Sequence, residues 1–349
     1  MKALVLKEYK KFVFEEVELP RLNPEEVLIK VKACAVCGSD VHGMDGSTGR
    51  RIPPIIMGHE ASGVVTGTAS PDLRVATGSE VVKEGDRVTF DSTIYCGNCE
   101  YCKNGHVNLC DNRRVIGVSC TEYRKNGAFA EYIAVPSRIV YKLPDEVTFE
   151  QAAMIEPLSV AYHAVEQARG AKGTALVVGC GNIGLLIAQI LATRGVEKIV
   201  LTDVAEEKLE LAKNLGFESR VDSGRGNVPK TVREMTDGKG ADLSFDAVGT
   251  EASVADAVRS LRKRGTCVLV GNITPSVPIP LQEIVTKQLS LVGSCASAGE
   301  YSQCLGLLAS GKVDVNALIS RSVPLADGSE WINKLYAKTP GLSKIILIP

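Results

Sequence analysis

The 349-residue sequence has almost no net charge: 40 lysines and arginines meet 41 aspartates and glutamates, a formal charge of -1. A protein that wraps nucleic acid carries a basic excess, so this balance removes the broad electrostatic case for such a partner. Long apolar runs are also missing. Nowhere do 18 apolar residues follow one another, so no membrane-spanning helix is expected. The opening stretch MKALVLKEYKKFVFEEV turns polar too soon for a secretion signal, and the chain reads as cytoplasmic. Internal repeats and low-complexity segments are absent, which sets aside solenoids and extended disordered tracts. What is present is the material of ordinary cores, 45% apolar residues. The chain is longer than the roughly 250 residues at which single cores stop growing, so two domains are expected. Eleven cysteines are an odd number, and four are crowded between Cys96 and Cys110. In a cytoplasmic chain that crowding points to metal before disulfides.

The patterning changes near residue 150. Residues 1–152 show short alternating segments such as EVLIKVKAC, ASGVVTG, DRVTF and FAEYIAV, broken by Gly, Pro and Asp, as a β-rich domain would. Over 153–290, continuous apolar runs such as TALVVG, KIVLTD and ADLSFD alternate with helical stretches, one of which is expected to end near Gly265. Continuous apolar strands alternating with helices describe a doubly wound parallel sheet buried on both faces, so the fold class is α/β. Residues 291–349 are too few for a core of their own and are expected to complete the first domain.

The segment Gly179-Cys180-Gly181-Asn182-Ile183-Gly184 follows the strand TALVV and opens an apolar helix. In that context G-x-G-x-x-G is a dinucleotide turn. The first glycine makes the turn, the second admits the pyrophosphate, and the third lets helix and strand pack, with the phosphates at the helix N-terminus. Asp203 ends the next strand, 19 residues after Gly184, near the offset at which a carboxylate receives the adenosine ribose hydroxyls of NAD. A glycine turn without a dinucleotide, with Asp203 as a helix cap, is the bland alternative.

In CGNCEYCKNGHVNLC, Cys96, Cys99, Cys102 and Cys110 are separated by two, two and seven residues. Four thiolates on one loop fit closed structural zinc. An iron-sulfur cluster is the competing occupant, but its bacterial spacing closes with C-x3-C-P, whereas Cys110 follows after seven residues and precedes Asp111. His106 reads as solvated.

Three further segments carry candidate metal ligands: ACAVCGSDVHG with Cys37, IMGHEASG with His59 and Glu60, and MIEPLSVAYHAV with Glu156. A lone Cys, His or Glu is ordinarily structural. Taken with the cysteine lobe, the glycine turn and A-F-A-E-Y at 128–132, in that order along the chain, they resemble the zinc-containing medium-chain dehydrogenase/reductase family over essentially the whole length. E-P-L-S-V-A-Y-H-A at 156–164 is similar to the sorbitol and xylitol dehydrogenase branch.

The resemblance implies a GroES-like catalytic domain (1–152 with 291–349), a Rossmann NAD-binding domain (153–290), and an active site in the cleft between them. It implies two zinc ions per chain. Cys37, His59 and Glu156 would hold the catalytic one, directly or through water at Glu156, with Glu60 able to exchange onto it. Asp40 would steady His59, and Ser39 and His42 would relay the proton. The cofactor contacts would be Gly179, Gly181, Asn182, Ile183, Gly184 and Asp203. The expected activity is oxidation of a secondary hydroxyl of a polyol to a ketose with NAD, by a homodimer or homotetramer without nucleic-acid or membrane partners. L-threonine or butanediol oxidation is the alternative within the family, and a non-catalytic NAD-binding protein is the alternative outside it. Two segments, 67–82 and 118–127, are longer than the family's usual connections. Arg50 and Arg51 are candidates for an anionic group on the substrate.

Overall fold

The computed structural model describes residues 1–170 and 172–349. They form two compact units, Met1–Glu156 with Ala298–Gly311 and Leu318–Pro349, and Pro157–Ser297 with Lys312–Ala317.

In the first unit, strand Glu26–Ala35 is the pairing hub. Its sequence EVLIKVKACA buries Val27, Ile29, Val31 and Ala33 on alternate positions, so one face of the strand enters the core. It pairs antiparallel with Glu60–Thr68, Tyr132–Pro136 and Lys344–Ile348. Beyond them lie Arg87–Phe90 and Val140–Lys142 on one side and Ile319–Pro324 on the other. Leu4, Leu6, Ile29, Met57, Phe90 and Phe129 are fully enclosed in this core. Each such side chain contributes about 1.5–3 kcal/mol relative to exposure. The 67–82 segment is anchored through buried Val75 and Val82. The 118–127 segment is a short hairpin, Val118–Ser119 against Arg124–Lys125, tied by Ser119 to the backbone of Arg50 and Ile52.

The second unit is a six-stranded parallel sheet in the order Arg220–Asp222, Lys198–Asp203, Thr174–Val178, Ala241–Asp246, Leu261–Leu269, Ser290–Gly293. Numbered along the chain this is 3-2-1-4-5-6, the Rossmann order. The expected helix end at Gly265 is corrected. The helix spans Glu251–Arg259, and Leu261 is already paired with Ala241 in the sheet. The charged run after it, which imitates a last helical turn, is a bulge in which Arg262 pairs with Asp242 at 2.5 Å.

Candidate active site and cysteine lobe

Cys37 stands at the start of a short helix, Gly38–Gly43, where its backbone N–H donates to Asp40 Oδ2 at 3.2 Å. That turn buries Asp40 and Val41 and leaves Ser39 and His42 exposed, three residues apart on one face. His59 and Glu60 arrive from Met57-Gly58, where the chain runs under Phe129. Gly58 has φ +89°, and a Cβ there would lie 2.4 Å from the Phe129 ring, so only glycine lets the segment turn into strand Glu60–Thr68.

The ligand atoms of Cys37, His59 and Glu60 all lie within 4.8 Å of one another. Around them the ionised groups are buried and paired. Asp40 Oδ1 faces His59 Nδ1 at 3.5 Å and takes Arg51 at 3.1 Å. Glu60 Oε2 takes Lys344 Nζ at 2.7 Å, and the same ammonium donates to the carbonyl of Val36 at 3.3 Å. Lys344, Glu60 and Asp40 are 2%, 1% and 0% exposed, so none of these charges is relieved by water. Burial opposes ionisation of Asp40, but His59 and Arg51 outweigh it and hold the carboxyl well below its ordinary range. Burial also opposes protonation of His59, yet Asp40 and Cys37 raise the imidazole well above its usual value. Glu156, in the first turn of helix Ile155–Gln167, stands outside the group of three. Its Oε1 accepts from Ser92 Oγ at 3.2 Å, and burial raises its carboxyl against the pull of His59.

The donor set tests whether a metal belongs here. Arg51 and Lys344 are each paired with one buried carboxylate, Asp40 and Glu60, while the Cys37 sulfur, a His59 ring nitrogen and a Glu60 oxygen converge on one point. A thiolate, an imidazole and a carboxylate are also the ligand types of a catalytic zinc site that keeps one position open. The residues fit zinc.

The four thiols of Cys96, Cys99, Cys102 and Cys110 likewise lie within 4.8 Å of one another, and Cys96 and Cys102 sulfurs are 4.0 Å apart. Tetrahedral zinc with Zn–S near 2.3 Å requires sulfur separations of about 3.8 Å. Backbone N–H groups of Asn98 and Cys99 draw the Cys96 thiol down to about 6. Burial and the neighbouring thiols push Cys102 up to about 12. Without a cation the four cannot all ionise together.

In the second unit Gly179 has φ +98° and makes the turn after Thr174–Val178. Gly181 caps helix Asn182–Thr193, and a Cβ on it would meet nothing within 4 Å, which is the open cradle a pyrophosphate needs. A Cβ on Gly184 would lie 1.8 Å from the Gly179 carbonyl oxygen. Asn182 and Ile183 fill the first turn of the helix. Asp203 accepts from the N–H groups of Cys180 and Ala205 at 2.8 and 3.0 Å, which fixes its carboxylate beside the turn.

Two residues of the first site escape a reading of the sequence. Arg51 does not face outward as an anion receptor. It is 4% exposed and bonded to Asp40, Ser39 Oγ and the Arg50 carbonyl. Lys344 looks like an ordinary charge at the start of KIILIP, and its partner Glu60 is 284 residues away.

The family described as Alcohol dehydrogenase GroES-like domain matches residues 23–145, and the family described as Zinc-binding dehydrogenase matches 182–310. D-xylulose reductase A of Aspergillus oryzae is 35% identical over 345 residues, 96% of this chain and 93% of the relative. D-arabitol-phosphate dehydrogenase of Enterococcus avium is 33% identical over 94% of this chain and 91% of its own. The crystal structure of 2R,3R-butanediol dehydrogenase from Bacillus subtilis superposes with a TM-score of 0.87 at 29% identity, covering 100% of this chain and 99% of that one.

Proposed function

The chain belongs to the zinc-binding dehydrogenases with an alcohol dehydrogenase GroES-like domain, and from that membership we propose that it oxidises a secondary hydroxyl of a sugar alcohol to the ketone with NAD. The observation that carries the reading is the convergence of Cys37, His59 and Glu60, whose ligand atoms lie within 4.8 Å of one another, next to an exposed Ser39 and His42. Relatives named for D-xylulose and D-arabitol phosphate support a polyol as substrate.

Cys37 and His59 hold the catalytic zinc with Glu156 or Glu60, and Cys96, Cys99, Cys102 and Cys110 hold a structural one. Bound at the first site, zinc supplies Lewis acidity that lets an alcohol hydroxyl lose its proton near neutral pH. The rest is done by the chain. Asp40 faces His59 Nδ1 and so keeps the other ring nitrogen free as a ligand. Ser39 Oγ accepts the hydroxyl proton as it gives up its own towards His42, which lies on the same exposed face and releases a proton to solvent. Arg51 donates to Ser39 Oγ at 3.3 Å, which fixes the hydroxyl in place and favours release of its own proton. The Gly179–Gly184 turn, with Asn182 and Ile183, carries the pyrophosphate. Asp203 takes the ribose hydroxyls and repels a 2'-phosphate, which favours NAD over NADP.

A second copy of the chain completes the proposal. Strand Ser290–Gly293 has a neighbour on one side only among the described residues, and Ile273, Ile279, Leu281 and Val285 near it are 47–68% exposed. An open strand edge beside apolar surface suits a homodimer.

The deciding experiment is reduction of NAD and NADP by zinc-loaded protein across sugar alcohols, their phosphates, butanediol and L-threonine. Turnover of a polyol with NAD is the expected result. Preference for butanediol or L-threonine would move the substrate within the family, and no reduction with any of them would overturn the proposal.

A further inference from the structure

Two buried carboxylates compete for one place beside Cys37 and His59, and each is tethered differently. Glu60 brings a carboxylate oxygen within reach of the cation position, but its Oε2 is held by a full positive charge, Lys344 Nζ at 2.7 Å. Glu156 stands further off and is held by the neutral hydroxyl of Ser92 at 3.2 Å. Lys344 is itself fixed, 2% exposed, with a second bond to the carbonyl of Val36, the residue before Cys37. The ammonium therefore cannot swing away to water, and its attraction for Glu60 acts in a medium that screens charge poorly.

We infer that Lys344 is a positioning residue that keeps Glu60 an exchangeable ligand of the catalytic zinc instead of a permanent one. By drawing part of the carboxylate's charge, Lys344 weakens Glu60 as a donor. Glu60 can then cover the cation when the open position is vacant and leave it when a substrate oxygen arrives. Without the ammonium, an uncompensated buried carboxylate has one cation left to turn to, and it stays there. The inference rests on the zinc assignment made above, and it concerns the one lysine buried among the described residues of that site.

The test compares three proteins loaded with zinc, and again with cobalt at the first site: wild type, Lys344→Met, and Lys344→Met with Glu60→Gln. Loss of metal to a chelator should be slowest in Lys344→Met and fastest in the double variant, with wild type between them and steps of about tenfold, the usual scale for a partner of a metal ligand. The cobalt absorption should weaken in Lys344→Met, as a further ligand raises the coordination number, and should return towards the wild-type form in the double variant. Lys344→Met should also raise KM more than it lowers kcat, because the position for substrate is now contested.

A purely structural lysine would lower thermal stability and leave the cobalt spectrum and the order of metal loss unchanged, and that result overturns the inference. Should Lys344→Met not fold, the double variant buries no unpaired charge and still decides the matter. It must lose metal faster than wild type, and equal rates overturn the inference. If wild type binds no more metal than Cys37→Ser, the zinc assignment itself has failed, which is a distinguishable outcome.

Discussion

Glu26 shows how one residue's environment sets a pH response. It is 6% exposed and accepts from the Asn23 backbone and side chain and from Lys125 Nζ at 3.0 Å. Burial alone would raise its carboxyl, but these donors prevail and lower it below the ordinary value. A depressed folded value means that the unfolded chain binds the extra proton first. The stabilisation is therefore present above the ordinary carboxylate range and is lost as pH falls through the folded value. Glu26→Gln should cost about 1–3 kcal/mol at pH 7, the scale of hydrogen bonds to a charged group. The difference from wild type should shrink towards zero as denaturation curves are repeated down to strongly acid pH, and a gap that stays constant with pH would refute the assignment. The same kind of pairing separates what was legible at the active site from what was not. Cys37, His59 and Glu60 lie in short motifs whose neighbours explain them. Lys344 and Arg51 take their meaning from partners far along the chain or across the fold, and a charge in a sequence carries no mark of being buried.

At the scale of the element, the glycine turn makes two substitutions with opposite signatures. Gly184→Ala places a Cβ 1.8 Å from a backbone oxygen, so strand and helix must separate and the second unit should lose stability by several kcal/mol. Gly181→Ala meets no protein atom, so the melting curve should be nearly unchanged while NAD affinity falls at least tenfold. Fluorescence titration with NADH beside thermal denaturation of both variants checks this, and NADH binding of wild-type strength in Gly181→Ala would remove that residue from the cofactor site. The two proposed metal sites separate in a comparable way. Cys102→Ser should lower thermal stability, because structural zinc contributes folding free energy directly. Cys37→Ser should abolish turnover and leave NADH binding intact, and full activity in that variant would defeat the mechanism. The glycine turn and the convergence of the four cysteines were legible because spacing alone nearly determines them. The helix at Glu251–Arg259 was legible only up to its end, since LRKRG has the charge pattern of a last helical turn and only the pairing of Leu261 with Ala241 shows otherwise.

For the whole molecule, composition and the change of patterning near residue 150 were enough for a β-rich unit and a doubly wound one. They could not show which strands are neighbours. The dimer proposed above predicts that Leu281→Glu with Val285→Glu, which sets like charges across a two-fold contact, yields a monomer in sedimentation without lowering NADH affinity. An unchanged mass would place the contact elsewhere. One pairing reaches further. Strand Lys344–Ile348 inserts between Glu26–Ala35 and Ile319–Pro324, and its first residue reaches a carbonyl 308 positions earlier. During translation the first unit therefore emerges with a gap in its sheet, which stays open while Pro157–Ser297 leaves the ribosome and folds. For most of its synthesis the nascent chain offers an unpaired strand edge and an incomplete metal pocket to chaperones and proteases. A protein that stops at Gly341 should reproduce that state, with protease cuts concentrated in residues 1–156 while the nucleotide-binding unit resists, and equal resistance of both units would show that the gap closes without the strand.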